Sequence, residues 1–80
     1  MRYEVIVEWK KEVLDPEGRA IQETLQRAGK SGIRRVDVGK RFIIELDDSV
    51  SKAEASRLVD SVAQEYLANP VAQTVTVKPL

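Results

Sequence analysis

Histidine and cysteine are both missing from these 80 residues, which removes much chemistry before any pattern is read. Without a thiolate there is no cysteine nucleophile and no disulfide. Without an imidazole there is no histidine general base, and without either there is no zinc site of the Cys/His type. Charge of one sign is also lacking: 13 Lys and Arg balance 13 Asp and Glu. That balance argues against a dedicated nucleic-acid binder, whose affinity comes from cations neutralising phosphates. Aromatic residues make up only 5% of the chain, too few to interleave with basic residues on an RNA-recognition sheet. No apolar run approaches about 18 residues, so nothing reads as a membrane span. No apolar stretch follows Arg2, so the start does not read as a signal peptide.

The residues that are present, 42% hydrophobic and 32% charged, are the composition of a folded soluble domain. The length fits a single domain, residues 1–80, with an expected radius of gyration of about 12 Å. Such a chain has no room for a substrate cleft between two lobes. It also buries a modest fraction of its surface, a deficit that association commonly offsets. The lack of cysteine agrees with a cytoplasmic location, which is the expectation here.

Tyr3, Val5, Val7 and Trp9 alternate with polar residues from Arg2 to Lys10, the period of a strand. Ile6 is the apolar exception on the polar face. Asp15-Pro16 announces a helix, since Asp accepts from orphan N–H groups and proline at the first position loses no hydrogen bond. Ala20, Ile21, Leu25 and Ala28 then form one stripe, and Gly29 suits a left-handed helix end. Gly18 falls in the first turn, where it marks either fraying or close approach by another backbone. From Ile33 to Leu46 the pattern is extended again. A two-residue turn at Gly39-Lys40 would put Val36 and Val38 on the face opposite Phe42, Ile44 and Leu46. One long strand bent at Gly39 keeps all five together, and a hairpin with a three-residue loop also does so. Ser51 and Glu54 form a capping box ahead of Ala55, Leu58, Val59, Val62, Ala63, Tyr66 and Leu67 at helical spacing. Asn69-Pro70 stops that helix, and Thr74–Lys78 alternates as a last strand.

The order β-α-β(β)-α-β predicts an α+β, ferredoxin-like-related two-layer sandwich: a mostly antiparallel sheet with two helices on one face. Candidate chemistry is sparse. Asp47, Asp48 and nearby Glu45 offer oxygens to a hard cation, but two acids between a strand and a helix cap more simply make a turn. Arg34, Arg35, Lys40 and Arg41 are the one basic concentration, either a charged strand edge or a surface for an acidic partner. Gly39-Lys40 lacks the spacing and the Ser/Thr of a phosphate-binding loop. Ile6 and Ile43, on the face the helices leave open, form a candidate dimer patch.

Three segments then coincide with one family. Val13-Leu14-Asp15-Pro16-Glu17-Gly18, Val36-Asp37-Val38-Gly39-Lys40-Arg41-Phe42 and Leu67-Ala68-Asn69-Pro70-Val71 together resemble the PurS family, the small subunit of phosphoribosylformylglycinamidine synthase, over essentially the whole chain. The resemblance implies a non-catalytic subunit in de novo purine biosynthesis. In that complex formylglycinamide ribonucleotide becomes the amidine with ATP and with ammonia from glutamine. It implies a homodimer or tetramer bridging a PurL-like synthase subunit and a PurQ-like glutaminase subunit, supporting ammonia transfer. ATP and magnesium would belong to the synthase subunit, with no cofactor, metal, nucleic acid or membrane on this chain. By the same likeness Asp15, Pro16, Gly18, Gly39, Lys40, Arg41, Asn69 and Pro70 are the constrained or interface positions. Thioester chemistry on glutamine needs a cysteine, and this chain has none, so assembly is its expected share. The alternative is a free-standing ferredoxin-like dimer that binds a small molecule.

Overall fold

Alternation along β1 (Arg2–Trp9) sends Tyr3, Val5 and Val7 to one side, where all three are buried. The computed structural model describes residues 1–80 and adds α1 (Pro16–Arg27), β2 (Lys40–Glu45), α2 (Lys52–Val62) and β3 (Gln73–Pro79). The sheet is antiparallel in the order β2-β1-β3. Val5 lies opposite Phe42 on one side and Val77 on the other, so the apolar parity of the three strands coincides. Onto that face α2 lays Ala55, Val59 and Ala63, one position every four residues, which with Tyr3, Val5 and Val7 complete the buried core. Ser51 caps α2 by accepting from the Glu54 N–H at 3.2 Å. The reciprocal half of the expected capping box, Glu54 back to the Ser51 N–H, is not made. The helix ends in a π-helical turn, Ala63–Leu67, closed by Ala68 N–H to the Ala63 carbonyl at 3.1 Å.

The α+β plan and the strand–helix order follow the expectation, with two differences. The broad apolar face of α2 divides: Ala55, Val59 and Ala63 are buried, whereas Leu58 is 44% exposed and Tyr66 is 79% exposed. The second difference concerns α1, which contributes nothing to the core or to the layer packed against it. Ile21 on its apolar stripe is 40% exposed. Only α2, then, covers the sheet face within one chain. The Cα radius of gyration, 16.3 Å, and the extents of 53 × 23 × 15 Å record an arm standing off a small body, where a globule of this length measures about 12 Å.

No hairpin forms at Gly39, because residues 33–38 pair with no strand of the sheet. The paired strand is correspondingly shorter than the extended pattern, Lys40–Glu45. The arm's turn is well formed all the same. Gly29 takes φ +80°, and Lys30 N–H and Gly29 N–H donate to the Leu25 and Gln26 carbonyls, a Schellman closure of α1.

Two substitutions on α2 separate its faces. Val59→Ala removes two methyl groups from the core and should cost about 2 kcal/mol in urea unfolding. Leu58→Ser on the uncovered face should stay within about 0.5 kcal/mol of the parent.

Candidate functional site

The arm owes its shape to three positions of α1 and its cap, Asp15, Gly18 and Gln22, which recur at helical spacing on one side. Asp15 accepts from Glu17 N–H through Oδ1 at 3.0 Å and from Val38 N–H through Oδ2 at 2.6 Å. Its carboxylate is therefore both the helix cap and a link to a residue more than twenty positions away. Gly18 sits against the Val36 carbonyl: a Cβ there would overlap the oxygen and stand 2.7 Å from the carbon. Gln22 Nε2 donates to the Arg34 carbonyl at 2.7 Å. Stepping along the helix by three or four residues thus meets every second residue of the return segment. That match requires 34–38 to be extended, since about 5–6 Å of helix rise must equal about 6.6 Å of strand.

Arg35 locks the other side. Its Nη1 donates to the Lys11 carbonyl at 3.0 Å, its Nη2 to the Val13 carbonyl at 2.8 Å, and its Nε to Asp37 Oδ2 at 2.8 Å. One guanidinium thereby fastens the chain entering α1 to the chain leaving it, using the planar fork that lysine lacks. Asp15 is one of only two buried residues outside the apolar core, the other being Gly18. The Val38 N–H holds the Asp15 carboxyl below its ordinary value of 3.8, with burial opposing and the Gly18 and Glu17 N–H groups and the Arg35 charge assisting.

The other positions singled out from the sequence lie apart from this clasp. Pro16 opens α1. Gly39 packs its Cα near the Val7 carbonyl, 3.0 Å from where a Cβ would stand. Lys40 opens β2 opposite Val7 and is exposed. Arg41 turns to the open face of the sheet and pairs with Glu4 at 3.4 Å. Asn69 makes a local turn, its Oδ1 accepting from Val71 N–H at 3.1 Å and its carbonyl from Gln73 N–H at 2.8 Å. Pro70 lies within that turn. Ile6 and Ile43 are diagonal neighbours on the open face, since Ile6 is opposite Arg41 and Ile43 opposite Glu4. Glu45, Asp47 and Asp48 gather into no cluster able to hold a metal ion. Sequence reasoning missed Arg35 as a clasp and Gln22 altogether. The available signal was the 15-18-22 spacing, which puts a carboxylate, a residue without a side chain and an amide on one helix face.

In this arrangement Asp15 and Arg35 are engaged in holding the arm. What the geometry presents is surface: a helix with an uncovered apolar stripe, an extended segment, and a sheet body lacking one cover. A family model described as PurS, phosphoribosylformylglycinamidine (FGAM) synthase, matches residues 2–79. The PurS subunit of Mycobacterium leprae FGAM synthase is 42% identical over 66 residues, 82% of this chain and 78% of that one. The Archaeoglobus fulgidus subunit is 34% identical over 92% and 91% of the two chains. Among solved structures, Bacillus subtilis PurS superposes with a TM-score of 0.83 at 27% identity, over 96% of this chain and 94% of that one. Methanocaldococcus jannaschii PurS does so with a TM-score of 0.79 at 31% identity, over 96% and 92%. A chain of Thermotoga maritima PurLQS shares the fold at 23% identity, with a TM-score of 0.71 over 99% and 95%.

Two substitutions test the clasp. Gly18→Ala must push the arm off Val36 and should cost about 2 kcal/mol, read by chemical denaturation. Asp15→Asn tests the carboxylate. Its folded pKa is lowered, so its contribution is complete above the unfolded value of 3.8 and is lost as pH falls through the folded value. The melting-temperature gap between parent and Asp15→Asn should therefore hold constant from neutral pH down to about 5 and close below about 4. Taken together, the clasped arm, the fold and the match across residues 2–79 establish that the chain belongs to the PurS family, subunits of FGAM synthase.

Proposed function

We propose that this chain is the non-catalytic assembly subunit of FGAM synthase in purine biosynthesis, with the ligase activity belonging to the complex. In this reading it self-associates and bridges a PurL-like synthase subunit, which carries ATP and magnesium, and a PurQ-like glutaminase subunit, so that ammonia passes between them. The observation that carries the reading is the family match along residues 2–79 in a chain with no cysteine or histidine. Glutamine hydrolysis through a thioester needs a nucleophile that must come from elsewhere. The Methanocaldococcus relative is described as a subunit of formylglycinamide ribonucleotide amidotransferase in the purine pathway, and the Thermotoga PurLQS structure contains a chain of this fold.

Physical support comes from what one copy leaves bare. The α1 stripe, Leu58 and Tyr66 on α2, and the Ile6–Ile43 diagonal on the open sheet face are apolar surfaces of the kind that mark protein–protein contact. Lys40 and Arg41, next to the joint between arm and body, are assigned to a subunit contact. Asp15, Pro16, Gly18, Gly39, Asn69 and Pro70 shape the arm, the joint and the α2–β3 turn that carry those surfaces. No helix is long and apolar enough to cross a membrane, and the reading places the chain in the cytoplasm with the rest of the complex.

Glutamine-dependent FGAM formation, assayed with the synthase and glutaminase subunits present, should fall by about tenfold or more when this chain is omitted. Turnover on added ammonium salt should fall far less. Equal glutamine-driven rates with and without the chain would reject the reading. Saturable binding of a small metabolite by the chain alone, together with those equal rates, would favour the free-standing dimer instead.

A further inference from the structure

Opposite β2, the sheet ends in β3, a strand with one side unused. Lys10 N–H donates to the Ala72 carbonyl at 2.9 Å, and Leu80 N–H to the Arg2 carbonyl at 3.0 Å. Both bonds fall on the register that sets Glu4 against Lys78 and Ile6 against Thr76. The even residues of β3 therefore bond to β1, and the odd ones point their backbone groups outward. Pro79 stands at an odd position, where its missing N–H costs the ladder nothing. The Gln73 N–H is taken by the Asn69 carbonyl at 2.8 Å. The N–H groups of Val75 and Val77, with the carbonyls beside them, are left as an open template along an edge strand.

Beside that edge lies a recess of ≈ 490 Å³ between β3 and α2. Its floor is Tyr3, Val77 and Pro79, and its wall is the flank of α2 that carries Ser56, Arg57 and Asp60. Ser56 and Asp60 each follow a buried residue of α2, Ala55 and Val59, so they stand next to the floor. Arg57, about 100° further round the helix, forms the rim. Tyr3 is only 5% exposed. Its hydroxyl has no partner within the chain, yet no buried side-chain polar atom is left unsatisfied, so the hydroxyl opens into the recess that its ring lines. Asp60 is exposed and enters none of the ion pairs of the chain. A carboxylate and a phenol, both without partners, thus line a recess whose border is the free edge of β3.

We infer that β3 is extended by a strand from a different polypeptide, whose inward-facing Lys or Arg enters the recess and bonds to Asp60 and the Tyr3 hydroxyl. Strand addition of this kind takes its affinity from main-chain hydrogen bonds and its selectivity from pockets for alternate side chains. A second copy of this chain does not fit the recess. Were two β3 strands to pair, outward-pointing residues would oppose one another, and the side chains on the recess side would be Gln73, Val75, Val77 and Pro79. The one basic residue of β3, Lys78, lies on the other face of the sheet, beside Glu4. Self-pairing would leave Asp60 and Tyr3 unmet, so the occupant is another protein. The inference rests on the bridging role proposed above and specifies where one of the bridged subunits attaches.

Hydrogen exchange reads the two sides of β3 separately. In the chain alone the Val75 and Val77 amides should exchange freely, whereas those of Thr74, Thr76 and Lys78, bonded to β1, should be slow. Adding the synthase and glutaminase subunits should slow Val75 and Val77 by about tenfold or more. Val75→Pro deletes an outward N–H without removing a ladder bond and should weaken capture of the chain by those subunits by about tenfold. Asp60→Lys touches no hydrogen bond of the side chain and places a cation toward the C-terminal end of α2, which favours the helix. It should keep the melting temperature of the parent and still lose about tenfold in affinity, with Asp60→Glu recovering most of the loss. A complex that forms with Val75 and Val77 still exchanging freely, or one that Asp60→Lys joins as tightly as the parent, overturns strand addition here and leaves the bridging role standing. Protection of both amides as the chain alone is concentrated makes a second copy the occupant and overturns it too. If no complex forms, strand addition and bridging fall together, and the glutamine-dependent assay then shows equal rates with and without the chain.

Discussion

The hydrogen bond from Val38 N–H to the Asp15 carboxylate sets the form of the whole chain. Asp15 caps α1, so tying it to Val38 decides where the helix starts relative to the segment that returns from it. Gly18 against Val36 and Gln22 against Arg34 continue the same match down the helix. Arg35 closes it from the other side by taking two carbonyls of the entering chain. With those contacts made, residues 34–38 run straight into β2 and cannot fold back beside it. The arm stands off, and everything the molecule offers a partner follows from that.

The division of labour is visible in what each part buries. The body closes its small core with six apolar residues from β1 and α2, and surface ion pairs such as Arg2–Glu45 and Arg19–Glu23 add little at such exposure. The arm has backbone and polar contacts but no apolar core of its own. A chain of this size spends its limited apolar surface on both sides of a joint, and the side left open is the one that association must cover. A subunit whose role is to hold others benefits from the same property, since its uncovered surface is where contact is made.

Much of this was legible in the sequence, for local reasons. Period-two alternation located β1 and the paired part of β2, the Asp15-Pro16 and Ser51 caps located both helix starts, and Gly29 located the end of α1. Parity around Gly39 correctly argued against a two-residue hairpin. The rest was not legible because it depends on contacts distant in sequence. Gly18 read more readily as a fraying first turn, and the position of Val36 shows it to be a close approach instead. The stripe on α2 read as one wide apolar face, because periodicity reports which residues share a face and not how much partner that face finds. The place of α1 was unreadable for the same reason: an amphipathic helix has the same pattern whether its cover lies in its own chain or in another.

Hydrogen exchange resolved by residue, compared between the parent and Asp15→Ala, tests the central claim most directly. If the Asp15 carboxylate holds the arm, the Val38 amide that donates to its Oδ2 is protected in the parent and exchanges freely in Asp15→Ala. The Phe42 and Ile44 amides, already bonded to β1, change little. A Val38 amide that exchanges equally fast in both proteins would contradict the account.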